Sequence, residues 1–259
     1  MNKEAPIGMF DSGVGGVSVL RQAVRLLPHE RFLFYGDTKN APYGTKSREQ
    51  VLSLSRRVVE LLLEHGAKAI LIACNTATSA AAATLRAEYA DVPIVAMEPA
   101  IKPASLLHRD GIVLSLATPG TIAGEKYAHL MARYGQGVVS LPCPGLMEFA
   151  ERGELDGENL HEFLAGLLSP YLSQKVEAVV LGCTHYVFLK KTVESLLPPE
   201  TRVLDGNEGT VRQLGRRLEG GGLLLRHAIG AERHALSFNI RQNEREIVAR
   251  AKQLLRIPE

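Results

Sequence analysis

Cys74 and Cys183 each follow the same kind of apolar run. The first reads Lys68-Ala-Ile-Leu-Ile-Ala-Cys74-Asn-Thr76 and the second Glu177-Ala-Val-Val-Leu-Gly-Cys183-Thr-His185. Set against each other on the cysteines, the segments match in residue type at nearly every step, in a chain with only one other cysteine. A lone cysteine is more often a small buried hydrophobe than a reactive group. Two at matched places, each followed by small polar residues and a helix start, point instead to paired thiols acting from two sides of a substrate. A helix N-terminus just after each sulfur lowers a thiol pKa from about 8.5 and favours the thiolate. Cys143, between two prolines, reads as structural.

Other polar groups gather at comparable places. Asp11-Ser-Gly-Val-Gly-Gly16 follows a short apolar stretch, but it lacks both the G-x-G-x-x-G spacing and the P-loop lysine. Asp11 would repel a pyrophosphate; it suits a substrate ammonium, or acts on a proton. Asn75, Thr76 and Thr184 are short hydrogen-bonding side chains beside backbone amides, suited to a carboxylate and, taken singly, more often helix caps. His185, two residues after Cys183, is placed to act as an acid or base or to polarise the thiol. The turn-rich segment 37–44 is long enough to form a lip over a pocket, with the Tyr43 and Gly44 amides as anion donors. A zinc site built from Cys74, Cys183 and His185 is disfavoured, because no C-x-x-C or H-x-x-x-H pair accompanies them. No G-x-S-x-G elbow signals a serine hydrolase.

The elements that must position these residues alternate between strand and helix. Strands are expected near residues 6–10, 31–35, 69–73 and 92–96, with helices at 17–27, from Ser47 to about Glu64, and at 77–89. The pattern restarts with strands near 111–116, 137–141, 178–181 and a last one ending at 204. Helices are expected through about Tyr134, over 160–173 and after Tyr186. Such alternation argues for parallel sheets covered by helices, where ligands collect at the carboxyl ends of strands. The cysteines lie 109 positions apart, and Thr118-Pro-Gly120 follows Asp11-Ser-Gly13 by 107. Two repeated α/β units are implied, residues 1–97 plus 208–259 and residues 98–207, with the active site in the cleft between them. The tail after residue 207 reads as mostly helical and returns to the first unit, with Gly220-Gly-Gly222 as a loop within it.

Composition narrows the class further. The chain has 259 residues, 46% hydrophobic and 22% charged, enough to bury a core without staples. A net charge of +2 gives no basic stripe for nucleic acid. No apolar run approaches the about 18 residues of a membrane span, and no signal-peptide pattern is seen. Three scattered cysteines fit a reducing compartment, so the expectation is a cytoplasmic protein.

Taken together, Asp11-Ser-Gly-x-Gly-Gly16, Gly36-Asp37 with Ala41-Pro-Tyr-Gly44, Ala73-Cys-Asn-Thr-Ala77 and Gly182-Cys-Thr-His-Tyr186 resemble the glutamate racemases. The cysteine motifs are shared loosely with aspartate and hydantoin racemases of the same superfamily. The resemblance implies cofactor-independent interconversion of L- and D-glutamate, supplying D-glutamate for peptidoglycan, with no metal. It implies that Cys74 and Cys183 are the paired acid and base on opposite faces of Cα, Asp11 assisting the first and His185 the second. It also implies a glutamate near the second cysteine, Glu151 or, less favoured, Glu148. Substrate contacts then fall to Asp11, Ser12, Tyr43, Gly44, Asn75, Thr76, Thr184 and His185. The partner is small-molecule glutamate, with no nucleic acid and no membrane; a homodimer is left open. The chain departs from the family's usual pattern at Val187-Phe188 and at Gly206-Asn207. The alternatives are an aspartate or hydantoin racemase and, in a different class, a non-catalytic two-lobed amino-acid-binding protein.

Overall fold

The computed structural model of the chain describes residues 2–107, 110–227, 234–238 and 244–256. The first unit runs β1 (Ile7–Asp11), α1 (Val17–Leu26), β2 (Phe32–Gly36), α2 (Arg48–Glu64), β3 (Ala69–Ile72), α3 (Asn75–Glu88) and β4 (Ile94–Ala96). Then come α4 (Ile101–Ser105), β5 (Ile112–Ala117), α5 (Pro119–Ile122), α6 (Glu125–Tyr134), β6 (Val138–Pro142), α7 (Leu146–Arg152) and α8 (Glu158–Leu168). The chain closes with β7 (Val176–Leu181), α9 (Lys190–Ser195), β8 (Arg202–Asp205), α10 (Asn207–Gly220), β9 (His234–Phe238) and α11 (Glu244–Arg256).

The strands form two all-parallel sheets, ordered β4-β3-β1-β2-β9 and β6-β5-β7-β8. Read from its other edge, the second sheet is β8-β7-β5-β6, the same winding as β4-β3-β1-β2. The repeat expected from sequence spacing is therefore a repeat of topology. β3 and β7 are equivalent strands, and each cysteine stands two residues beyond the end of its own.

Local signals account for much of this. Ser47 caps α2 through a reciprocal capping box with Gln50, worth about 1 kcal/mol. β1 and β3 are buried along their whole length, as expected of central strands in a helix-covered parallel sheet. One apolar core runs through both units, from Met9, Val17 and Leu20 to Leu116, Leu181 and Leu189, and takes in Val211, Leu214 and Leu218 of α10.

Several expectations need correction. The tail, expected to be mostly helical, carries a strand as well: β9 lies between α10 and α11 and extends the first sheet by pairing with β2. His-Ala-Leu-Ser-Phe has weak strand character by itself, and it is the free edge of β2 that makes it one. Residues 228–233, 239–243 and 257–259 of that tail lie outside the described residues. Gly220 closes α10 and only Gly221-Gly222 form the turn. The helix expected through Tyr134 is split into α5 and α6, while α4 and α7 carry no periodic signal long enough to read. The tail's path is fixed by the buried Lys68, whose ammonium donates to Glu30 Oε2 (2.6 Å), Lys3 O (2.7 Å) and Leu223 O (3.0 Å). Glu30 Oε1 in turn accepts from the Leu225 amide at 2.8 Å. All three ammonium protons are satisfied, which a buried charge requires.

Candidate active site

Cys74 leaves β3 in extended conformation and caps α3, its sulfur accepting from the Ala77 amide at 3.4 Å. Cys183 leaves β7 with nearly the same backbone angles. The next stretch of chain is not the expected α-helix but a 3-10 segment, Thr184–Leu189, and α9 starts only at Lys190. Thus the two sulfurs share a position in the fold but not a helix dipole.

Both thiols line one narrow pocket, with relative exposures of 5% for Cys74 and 7% for Cys183. Ser12, Tyr43, Gly44, Asn75, Thr76, Thr184 and His185 line it with them. Its free volume is about 10 Å³, room for about one water molecule. Thr118, Thr121 and Met147 also line it. In the sequence Thr118 marks only the repeat of the Asp11-Ser-Gly13 turn, and neither Thr121 nor Met147 is among the candidates. The Thr118-x-x-Thr121 spacing across a helix start was the available signal, since Thr118 Oγ1 accepts from the Thr121 amide at 3.2 Å and turns both hydroxyls to one side. The hydroxyls of Thr76, Thr118 and Thr121 form a closed triangle with edges of 3.0, 3.3 and 2.9 Å.

Asp11 and Glu151 stand behind this lining. Asp11 is fully buried; its Oδ1 accepts from the Gly13 amide at 2.7 Å and its Oδ2 from Thr184 Oγ1 at 3.1 Å. It meets Cys74 through Ser12, whose hydroxyl lies 3.4 Å from Asp11 Oδ1 and 3.8 Å from Cys74 Sγ. Burial pushes the Asp11 carboxyl above its ordinary value, against the pull of His185 and the Gly13 amide. Burial, reinforced by Asp11, likewise pushes the Cys74 thiol up to about 12.

His185 serves the other sulfur. Its Nδ1 lies 3.6 Å from Cys183 Sγ and its Nε2 2.7 Å from Glu151 Oε1. The Gly15 amide also points at Nε2, at 3.1 Å. A protonated Nε2 cannot accept from it, and the short contact with the carboxylate takes the proton. Burial opposes charge on the imidazole, but Cys183 and Glu151 outweigh it and hold the ring well above the usual histidine range. Burial also works to raise Glu151, yet the hydrogen bond and charge of His185 keep it below its ordinary value. Glu148 makes no such contact; its Oε2 is buried without a hydrogen-bond partner. A Cβ on Gly15 would run into His185 and one on Gly13 into Glu151, so the loop is glycine-rich to let backbone approach these side chains.

The remaining expected residues also have definite places. Tyr43 is buried and donates to Asp37 Oδ2 at 2.6 Å, while Asn40 Nδ2 donates to the same carboxylate, so segment 37–44 is tied to itself over the pocket. Asn75 Nδ2 contacts Met97 Sδ at 3.5 Å. Cys143 lies beside the site without lining it; its thiol donates to Leu141 O, and burial pushes it up to about 12. Among the described residues no group of three His, Cys, Asp or Glu side chains is arranged to hold a metal ion. No described helix is long and apolar enough to cross a membrane.

Twin parallel α/β units, each supplying one thiol to a shared pocket, are the architecture of a racemase family: the chain belongs to the Asp/Glu/Hydantoin racemases, whose model matches residues 7–214. Within that family the similarity is to glutamate racemases. The chain is 51% identical to the glutamate racemase of Clostridium perfringens (strain 13 / Type A) over 219 residues, 84% of each chain. It is 47% identical to that of Clostridium novyi (strain NT) over 255 residues, 97% of each. Its structure resembles that of the Francisella tularensis glutamate racemase in complex with D-glutamate, with a TM-score of 0.84 at 26% identity, covering 99% of this chain and 95% of the other.

Proposed function

We propose that the chain interconverts L- and D-glutamate without a cofactor, by proton transfer at Cα between Cys74 and Cys183. The observation that carries this is the placement of two thiols at equivalent strand ends on one narrow pocket. A thiolate on one face removes the Cα proton; the electron pair left on Cα delocalises into the α-carboxylate; the thiol on the other face gives its proton to Cα. The two sulfurs have then exchanged protonation states, ready for the opposite enantiomer or for resetting by proton exchange.

The surroundings of the sulfurs differ in a way that suits this cycle. An imidazolium backed by Glu151 faces Cys183 at 3.6 Å, while burial beside Asp11 pushes the Cys74 thiol up. His185 and Glu151 therefore serve Cys183, and Ser12 and Asp11 serve Cys74. Donors around the α-carboxylate stabilise the charge as it develops; the Asn75 side chain is suited to that part, while the Thr184 hydroxyl gives its one proton to Asp11. The hydroxyl triangle of Thr76, Thr118 and Thr121 is suited to the distant carboxylate, where glutamate and aspartate differ in reach. Glutamate needs more room than the about 10 Å³ between these walls, so the walls move to admit it.

We take residues 1–97 plus 208–259 and residues 98–207 as the two units that move against each other. The pairing of β9 with β2 and the Lys68 latch support counting the tail with the first. In this reading the enzyme works in the cytoplasm and supplies D-glutamate for peptidoglycan. A circular-dichroism assay with L-glutamate, D-glutamate and L-aspartate, without added cofactor, tests it. Loss of signal from both glutamate enantiomers is expected; turnover of aspartate alone would defeat it.

A further inference from the structure

Thr184, between Cys183 and His185, is held at both ends by the first unit. Its hydroxyl donates to Asp11, and its backbone carbonyl accepts from the hydroxyl of Ser18 on α1 at 3.2 Å. Ser18 in turn accepts from Asn207 Nδ2, at the first turn of α10, at 3.1 Å. Ser18 and Asn207 are both buried. A serine hydroxyl has one proton, and here it goes to Thr184 O, so the asparagine must present its NH2 end and the chain of donors has one direction. Asn207 Oδ1 is left buried without a hydrogen-bond partner. An unsatisfied buried acceptor is destabilising, which marks the amide as kept for its donor rather than for packing. Neither residue lines the pocket.

We propose that Ser18 and Asn207 are positioning residues for Cys183: a two-link strut from α10 through α1 that fixes the backbone between the second thiol and its imidazole. This deepens the racemase reading and rests on it for the role of Cys183. The strut spans three pieces of chain, from residues 18, 184 and 207, and holds the second cysteine loop against α1 of the first unit. Ser18 is the pivotal member because its hydroxyl alone touches the loop.

The test is the rate of iodoacetamide alkylation at Cys183 and at Cys74, resolved by peptide mass mapping, together with kcat and KM, in Ser18→Ala, Ser18→Thr, Asn207→Ala and wild type. Ser18→Ala is expected to change the Cys183 rate at least about threefold while Cys74 stays at the wild-type rate. It should lower kcat about tenfold with little change in KM, as a misplaced reacting group does. Ser18→Thr, which keeps the hydroxyl, should restore both. Asn207→Ala, which leaves Ser18 in place, should give a smaller change of the same kind and covers the case in which Ser18→Ala fails to fold. Unchanged Cys183 alkylation and kcat in a folded Ser18→Ala or, if that variant does not fold, in Asn207→Ala would overturn the proposal. So would equal changes at both cysteines. Because alkylation needs no turnover, a wild-type protein inactive on glutamate would defeat the racemase reading while leaving the strut measurable.

Discussion

Thr184 Oγ1 donates to Asp11 Oδ2 across 3.1 Å, so the carboxylate ending the first strand of one unit is gripped by the cysteine loop of the other. The same crossing recurs beside it: the Val14 amide donates to Glu151 at 3.2 Å, and Gly15 packs against His185. The glycine-rich loop of the first repeat thus builds the surroundings of the second thiol. Equivalence of scaffold and inequality of helpers arise from that one placement.

The inequality predicts an order of reaction. At neutral pH and without substrate, iodoacetamide should modify Cys183 faster than Cys74, because an imidazole faces the former and burial beside a carboxylate holds the latter protonated. Saturating glutamate should protect both, since both line one pocket. Peptide mapping reads the order, and faster modification of Cys74 would reverse the assignment.

Gly15→Ala should be severe although its change is one methyl group. The added carbon meets His185 and the Thr184 hydroxyl, neither of which can retreat from its own partners. A loss of about 1–3 kcal/mol in urea unfolding is expected, with a fall in kcat larger than any rise in KM. Near-normal kinetics would mean that the close packing is not needed in the working state.

The His185–Glu151 pair gives stability a defined pH window. His185 is raised when folded, so its contribution is full below its unfolded value near 6.5 and fades as pH rises through the higher folded one. Glu151 is lowered, so its contribution is full above about 4.5 and fades as pH falls through the lower folded one. The stability difference between wild type and Glu151→Gln should therefore be largest between about pH 4.5 and 6.5 and shrink on both sides. A quarter of the Glu151 side chain is exposed, so the difference will be modest. Urea midpoints across that range measure it, and a difference that did not vary with pH would remove the ion pair from the mechanism.

Much of this was legible beforehand, and the limits are physical. Ser47 announced the start of α2 because a capping box is local chemistry, and the matched cysteines announced equivalent strands because both runs are almost wholly buried. β9 was not legible, since its strand character comes from an edge more than 190 residues away in sequence. The resemblance favours Glu151 over Glu148, and the turn of α7 points the first carboxylate at His185 and leaves Oε2 of the second without a partner. The 3-10 segment after Cys183 was hidden for a similar reason: the Ser18 hydroxyl of α1, 166 residues away in sequence, holds its first carbonyl.

Thr121→Val should raise KM for glutamate about tenfold, the order expected for a lost hydrogen bond to a charged group, with kcat changed far less. Thr121 is the informative member of the triangle because Thr118 also caps α5. Steady-state kinetics on both enantiomers decides it; a kcat effect with unchanged KM would move the distant carboxylate elsewhere in the pocket.

The most direct measurement is racemisation of each glutamate enantiomer in deuterium oxide, without added cofactor, by wild type, Cys74→Ser and Cys183→Ser. Two-thiol chemistry predicts that wild-type product carries deuterium at Cα from its first appearance while unreacted substrate keeps its proton. It also predicts that either serine variant loses most of its turnover with the fold intact. Near-normal turnover by either variant, or product that retains the substrate's own proton, would contradict proton transfer between Cys74 and Cys183.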